Sequence, residues 1–216
     1  VPGNHDMPKA PVEEYQYAPS EGLAALREEI AARRSVDVDR VVITNGAGEA
    51  NYLVTACALD AYPGDEVVIT DPIYPYYSDR AKLLGATPRT VPTLTDGTLD
   101  VERAREVVSD DTALIVLNSP NNPTGAVYGG ETKRELAALA AEHDALFLSD
   151  EVYDHFDYSG TFETALGMDD ERVAVTNSVS KAMAATGIRV GYVVVPDALV
   201  DAVRTRHMLT DLSVTR

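Results

Sequence analysis

The 216-residue sequence has no run of about 18 apolar residues, the length that a membrane-spanning helix needs. Its first residues also lack the apolar segment that a secretory signal peptide carries. A single cysteine, Cys57, excludes a disulfide framework, and its place in the apolar run YLVTACAL predicts a small buried hydrophobic side chain. We therefore expect a protein of the reducing cytoplasm that is not bound to a membrane.

Basic residues are scarce, since 18 Lys and Arg stand against 35 Asp and Glu for a net charge of −17. No basic patch is available to neutralise phosphates, so we expect no nucleic-acid partner. The four histidines are scattered without the spacing of metal ligands, so no metal site is predicted. The acidic balance suggests a salt-rich cytoplasm, in which a hydrated acidic surface keeps proteins soluble, and an ordinary acidic bacterial enzyme is the alternative.

The chain alternates between β-branched apolar runs and amphipathic helical patterns, without internal repeats or a low-complexity linker. Ser20 is predicted to cap the first helix, which ends at Arg34, and later helices are predicted over residues 49–61, 76–84, 100–108, 131–143 and 197–208. Seven strands are predicted to begin near residues 41, 66, 87, 112, 145, 172 and 188. This alternation predicts an α/β domain with a mainly parallel sheet and helices on both faces, preceded by an extended arm over residues 1–14.

The most informative stretch, residues 177–192, has the sequence NSVSKAMAATGIRVGY. Lys181 directly follows Ser180, with Ser178 nearby and Arg189 eight residues later. A lysine attacks an aldehyde only in its uncharged form, which a neighbouring cation favours. Two hydroxyl groups and a guanidinium group also suit a phosphate. A solvated turn between two strands explains the spacing alone equally well.

Three further positions suggest a ligand site at the carboxyl ends of strands. The turn N-G-A-G over residues 45–48 joins a predicted strand to a helix, and such a helix N-terminus binds anions through its backbone N–H groups. Asp150 follows a buried strand, where a carboxylate is costly without a cationic partner. Tyr74 also follows a strand and could stack on a planar ring. A plain turn, a helix cap and a helix-covering tyrosine are the alternatives, and we expect Tyr76 and Tyr77 to cover the helix start.

Seven motifs occur in order along the chain: Y-x-P-x-x-G, N-G-A-G, P-x-Y, N-N-P-T-G, D-E-V-Y, S-x-S-K and T-G-x-R-x-G-Y. Together they resemble the class I and II aminotransferases, in the fold-type I superfamily of pyridoxal 5'-phosphate enzymes. The resemblance implies an arm and first helix over residues 1–34 and a cofactor-binding large domain over 35–216, with the last strand antiparallel. It also implies that a smaller C-terminal domain, which carries the arginine that clamps the substrate carboxylate, is not among these residues.

The resemblance implies a role for each motif residue around the cofactor. Lys181 forms a Schiff base with it and moves the substrate proton, and Asp150 pairs with the pyridine nitrogen. Tyr153 hydrogen-bonds the phenolic oxygen of the cofactor, as does Asn122. The remaining implied contacts are Tyr74 and Val152 on the two faces of the ring and, at the phosphate, Ala47, Gly48, Ser178, Ser180, Arg189 and the neighbouring subunit's Tyr17 in a homodimer.

The implied activity is the transfer of an amino group between an amino acid and a 2-oxo acid. The same cofactor site can serve a β-lyase, a decarboxylase or a cyclase, because the reaction depends on which bond of the substrate Cα stands perpendicular to the ring. A non-catalytic effector-sensing domain is a further alternative, although the sequence shows no DNA-binding helix pair. The identity of the amino acid stays open.

Overall fold

The computed structural model describes residues 17–169 and 171–214, so the predicted arm lies outside the described residues. One seven-stranded sheet has the order β1-β7-β6-β5-β4-β2-β3. The strands are β1 (Val41–Thr44), β2 (Glu66–Asp71), β3 (Thr87–Pro92), β4 (Thr112–Asn118), β5 (Leu146–Asp150), β6 (Val173–Ser178) and β7 (Gly191–Val194). The α-helices are α1 (Ala24–Arg34), α2 (Gly46–Ala61), α3 (Tyr76–Leu83), α4 (Val101–Val107), α5 (Gly130–Glu142), α6 (Val179–Ala182) and α7 (Asp197–Thr210).

The sheet is mainly parallel, which confirms the predicted fold class. Strands β2 to β6 pair in parallel, and β7 runs antiparallel to both β1 and β6, as the resemblance implied. Asn118 pairs with Asp150 in the register of β4 and β5, so the carboxyl ends of these strands lie side by side. In the part of the chain that the structure describes, no helix has the length and apolar character to cross a membrane.

Helices cover both faces of the sheet, and the side chains of each strand alternate between them. Leu114 and Val116 of β4 pack with helices α2, α3 and α7, whereas Ile115 and Leu117 pack with α4 and α5. Strands buried on both faces are continuous apolar runs, which is why the sequence of β4 was recognisable. The alternation continues past β5, where Asp150 contacts α2 and α3, and Glu151 contacts α5.

The starts of α1 and α2 differ most from the prediction. The prediction that Ser20 caps the first helix was wrong: its hydroxyl donates to Glu21, and α1 begins at Ala24 after a turn at Gly22. Helix α2 begins at Gly46 rather than at residue 49. There the carboxylate of Glu49 accepts the Asn45 N–H at 2.6 Å, while the Asn45 side chain forms no capping hydrogen bond in return.

Candidate active site

A cavity of about 350 Å³ opens where β4, β5 and β6 end, a volume in the range of small-molecule sites. All but one of the site residues expected from the sequence line it: Ala47, Gly48, Tyr74, Asn122, Asp150, Val152, Tyr153, Ser178, Ser180, Lys181 and Arg189. The exception is Tyr17, whose side chain is 76% exposed. The described residues contain no group of three or more His, Cys, Asp or Glu that could hold a metal ion.

The glycine turn at one end of the cavity rests directly on the backbone of β7. A Cβ atom on Gly191 would lie 2.5 Å from the carbonyl carbon of Gly46 and 2.6 Å from the nitrogen of Ala47, so only glycine allows this contact. Gly46 itself has a φ of +73°, in the left-handed region that glycine adopts without strain. The two glycines thus set the position of the Ala47 and Gly48 backbone, at the N-terminus of α2.

The segment that carries the lysine is tied to the same turn. The Arg189 guanidinium donates to the carbonyl oxygens of Thr186 at 2.9 Å and Asn45 at 3.2 Å. Ser178 caps α6, because its Oγ accepts the Ser180 N–H at 3.1 Å. Arg189 has a φ of 59°, a strained conformation for a residue with a side chain and one that is common at functional sites. Two hydroxyl groups, a guanidinium group and helix N–H groups therefore meet in an anion-binding arrangement.

A second polar group forms around Tyr153. Its hydroxyl accepts a hydrogen bond from Asn122 Nδ2 at 3.3 Å, and the Lys181 Nζ lies 5.5 Å from the centre of its ring. The backbone N–H of Asn122 donates to Asn118 Oδ1 at 2.9 Å, which fixes the turn that follows β4. An amine, a phenol and an amide thus lie close together in the cavity wall.

Asp150 lines the same cavity and is buried, with only 2% of its surface exposed. Its Oδ2 accepts from Tyr77 Oη at 2.5 Å and Asn51 Nδ2 at 2.6 Å, and its Oδ1 accepts from the Val152 N–H at 3.1 Å. Burial raises the pKa of the Asp150 carboxyl, and the hydrogen bonds from Tyr77 and Asn51 oppose that rise. No lysine or arginine of the described residues forms an ion pair with it, so the site suits a ligand with a cationic N–H group.

The structure adds cavity residues that the sequence analysis missed, and it corrects one prediction. Tyr77 does more than cover the start of α3, because its buried hydroxyl binds Asp150. Asn51 and Asn118 also line the cavity, and each lies at the edge of an apolar run, a signal that could have been used. Arg80 lines the cavity and donates to the Gly48 carbonyl at 3.1 Å, and burial lowers the pKa of its guanidinium group.

The chain is similar to a known protein family and to proteins of known structure. The family described as aminotransferase class I and II matches residues 9–210. Over 195 residues the chain is 36% identical to an aspartate/prephenate aminotransferase of Thermus thermophilus. This match covers 87% of this chain and 50% of that protein. A structure of the Thermus thermophilus aspartate aminotransferase with maleate matches with a TM-score of 0.89 at 34% identity, over 94% of this chain and 55% of that one. The chain spans about half the length of the curated relatives it matches.

Proposed function

The chain belongs to the class I and II aminotransferases, and from that premise we propose that the full protein exchanges an amino group between an amino acid and a 2-oxo acid. The family depends on pyridoxal 5'-phosphate as its cofactor. One observation carries the proposal: Lys181, Asp150 and the anion-binding turn with Arg189 all line a single cavity. Two relatives are named as acting on aspartate, so aspartate is the first amino acid to assay.

The residues present fit the cofactor at each of its polar groups. When bound, pyridoxal phosphate supplies a ring that withdraws electrons from the substrate Cα. Lys181 would hold it covalently through its amine, and the freed amine would move the Cα proton as a general base and acid. Asp150 would accept the ring N–H, and the phenol of Tyr153 and the amide of Asn122 would bind its phenolic oxygen.

The other cavity residues would hold the phosphate and the ring faces. The backbone of Ala47 and Gly48 offers N–H groups at the N-terminus of α2, which favours an anion. The side chains that would complete this site are Ser178, Ser180 and Arg189. Tyr74 and Val152 would lie on the two faces of the ring.

Covalent capture tests the lysine directly in the full-length protein. Reduction with borohydride in the presence of pyridoxal phosphate should fix the cofactor to the peptide that contains Lys181, as read by mass spectrometry. Lys181→Ala should abolish both the bound-cofactor absorbance and the amino-group exchange between aspartate and 2-oxoglutarate. The control is Lys82→Ala, because Lys82 is exposed on α3 outside the cavity. A Lys181→Ala protein that kept the absorbance and turned over would refute the proposal.

We also propose that the active protein is a cytoplasmic homodimer in which both subunits contribute to each active site. Tyr17 precedes α1, and its 76% exposed ring is available to reach a second copy and donate to that copy's cofactor phosphate. The acidic composition suits a salt-rich cytoplasm, for which rising activity with added salt is the expected behaviour.

Loss of the Tyr17 hydroxyl should loosen the cofactor without unfolding the domain. A hydrogen bond to a charged acceptor is worth roughly 1.5–3 kcal/mol, so Tyr17→Phe should raise the cofactor dissociation constant about ten- to a hundredfold. Mixing Tyr17→Phe and Lys181→Ala subunits should restore activity, since one site of each heterodimer then carries neither change. Heterodimers that form and stay inactive would contradict the shared site.

A further inference from the structure

One oxygen of the Asp150 carboxylate is fully occupied by donors and the other is not. A carboxylate offers about two acceptor positions on each oxygen. Oδ2 accepts from two donors, Tyr77 Oη at 2.5 Å and Asn51 Nδ2 at 2.6 Å, while Oδ1 accepts only from the Val152 N–H at 3.1 Å. Among the contacts that the described residues make, the acceptor position left open is therefore on Oδ1.

The orientation of both donors is fixed by their surroundings. An ionised carboxylate only accepts, so the Asn51 amide turns its Nδ2 to Asp150, and the Thr176 hydroxyl on β6 then donates to Asn51 Oδ1 at 2.7 Å. An ionised carboxylate only accepts, so the Tyr77 hydroxyl donates to it. Tyr77 is 7% exposed and packs with the core on the α2 side of the sheet, which holds its ring in place.

We propose that Tyr77 and Asn51 are positioning residues that close Oδ2 of Asp150 and so present Oδ1 to the ring nitrogen of the cofactor. The inference rests on the proposed function and deepens it, because it assigns the two oxygens different tasks. Two donors on Oδ2 stabilise the ionised carboxylate, so the proton shared between Asp150 and the ring stays on the ring nitrogen. Without them the proton would move toward the carboxylate, and the ring would withdraw electrons less strongly.

The charged and titratable groups near Asp150 are few. Helix α3 contributes Tyr77 and Arg80, which both act on the Asp150 charge, while α2 and β6 present the neutral Asn51 and Thr176. Lys181 and Tyr153 line the same cavity. Removing the Tyr77 hydroxyl leaves Arg80 and every other charge in place, so a change in protonation would report the lost hydrogen bond.

The position of the proton can be measured without recording turnover. Full-length protein is loaded with pyridoxal phosphate labelled with ¹⁵N in its ring, and the nitrogen chemical shift is followed over a pH series. For Tyr77→Phe, the ratio of protonated to unprotonated ring nitrogen should fall about ten- to a hundredfold. Asn51→Leu should act in the same direction, and Thr176→Val should give a smaller change because it only frees the Asn51 amide.

Tyr128→Phe is the matched control. It also removes a buried tyrosine hydroxyl, but that hydroxyl donates to the Gly97 carbonyl at 3.1 Å and does not touch Asp150. This control should leave the nitrogen signal at its wild-type position. If Tyr77→Phe fails to fold, Asn51→Leu and Thr176→Val still decide the question.

Two outcomes separate the inference from the function on which it rests. Variants at Tyr77 and Asn51 that hold the cofactor with an unchanged nitrogen signal overturn the inference and leave the proposed function standing. A wild-type protein that takes up no cofactor overturns the proposed function. In that case a ¹³C titration of the Asp150 carboxyl in the unloaded protein, with the signal assigned by its loss in Asp150→Asn, tests the positioning role separately. A higher pKa of the Asp150 carboxyl in Tyr77→Phe than in wild type supports the positioning role, and an unchanged pKa overturns it.

Discussion

Asp150 and Glu151 are adjacent in sequence and both buried, yet their carboxylates have different partners on the two faces of the sheet. Glu151 forms an ion pair with Lys133 at 3.1 Å and also accepts from Ser149 Oγ, Thr164 Oγ1 and the Ala165 N–H. Asp150 lines the cavity, accepts from three neutral donors and keeps an open acceptor position on Oδ1. The Glu151 carboxylate is therefore part of a closed structural contact with Lys133, and the Asp150 carboxylate is available to a ligand.

The difference shows how burial and pairing together distinguish structure from function. A buried charge is tolerated when a countercharge and hydrogen bonds compensate its lost hydration. On the α5 side the protein supplies both: Lys133 also donates to the Glu163 carbonyl at 2.6 Å and stacks over the Phe162 ring. On the α2 side the protein supplies hydrogen bonds, and Arg80 acts on the Asp150 charge without forming an ion pair with it. We interpret the missing ion-pair partner as the part that the cofactor supplies.

Breaking the ion pair between Lys133 and Glu151 should have the largest effect on the free energy of unfolding. Lys133→Met leaves Glu151 charged, buried and without a countercharge, which should lower the free energy of unfolding by about 3–5 kcal/mol. Denaturant unfolding of the unloaded protein measures this. The double variant Lys133→Met with Glu151→Leu should recover much of the loss, because both charges are then gone. A single variant as stable as wild type would show that the ion pair does not hold this face together.

A smaller loss should follow from removing one donor and keeping the ion pair. The Thr164 hydroxyl donates to Glu151 Oε2 at 2.7 Å, and Thr164→Val deletes it with little change in shape. A hydrogen bond to a charged group is worth roughly 1.5–3 kcal/mol, so the free energy of unfolding should fall by that amount or less. Thr161→Val is the control, since Thr161 is exposed on the same loop and does not contact Glu151. Equal losses in the two variants would contradict the assignment.

Of these substitutions, one at Asp150 should change the free energy of unfolding least at neutral pH, and its effect should depend most on pH. Burial raises the pKa of Asp150 above the unfolded value of about 3.9, so between the two pKa values the folded state binds more protons than the unfolded state. The contribution of Asp150 to the free energy of unfolding therefore falls as the pH rises through this interval. Asp150→Asn lacks that contribution.

At neutral pH, Asp150→Asn should unfold within about 1 kcal/mol of wild type. Its stability relative to wild type should rise as the pH increases from about 4 through the raised pKa of Asp150. Unfolding curves of the two unloaded proteins over a pH series measure the difference. The opposite slope would mean that Asp150 is stabilised as a carboxylate even without the cofactor.

The buried strands of the sheet were predictable because they are apolar runs covered on both faces. Strands β1 and β4 begin at the predicted residues 41 and 112, and β4 is buried along its whole length. The helix ends were harder, since α2 depends on the Glu49 side chain capping Asn45, which helical periodicity does not encode.

In the site, too, residues within local motifs were predictable and contacts between distant parts of the chain were not. All the predicted site residues except Tyr17 line one cavity, and their roles stay a prediction. Tyr77 and Asn51 escaped notice because their partner Asp150 is 73 and 99 residues away in the chain. Only the packing of α2 and α3 against the end of β5 brings these groups together.

The most direct test measures two quantities on two neighbouring variants of the full-length protein, Asp150→Asn and Glu151→Gln. One quantity is the dissociation constant of pyridoxal phosphate and the other is the free energy of unfolding without it. We expect Asp150→Asn to lose at least about tenfold in cofactor affinity and to keep its stability. Glu151→Gln should lose about 3–5 kcal/mol of stability, because Lys133 is left unpaired, and should bind the cofactor as wild type does when folded. Wild-type affinity in Asp150→Asn, or a loss of affinity confined to Glu151→Gln, would contradict the account.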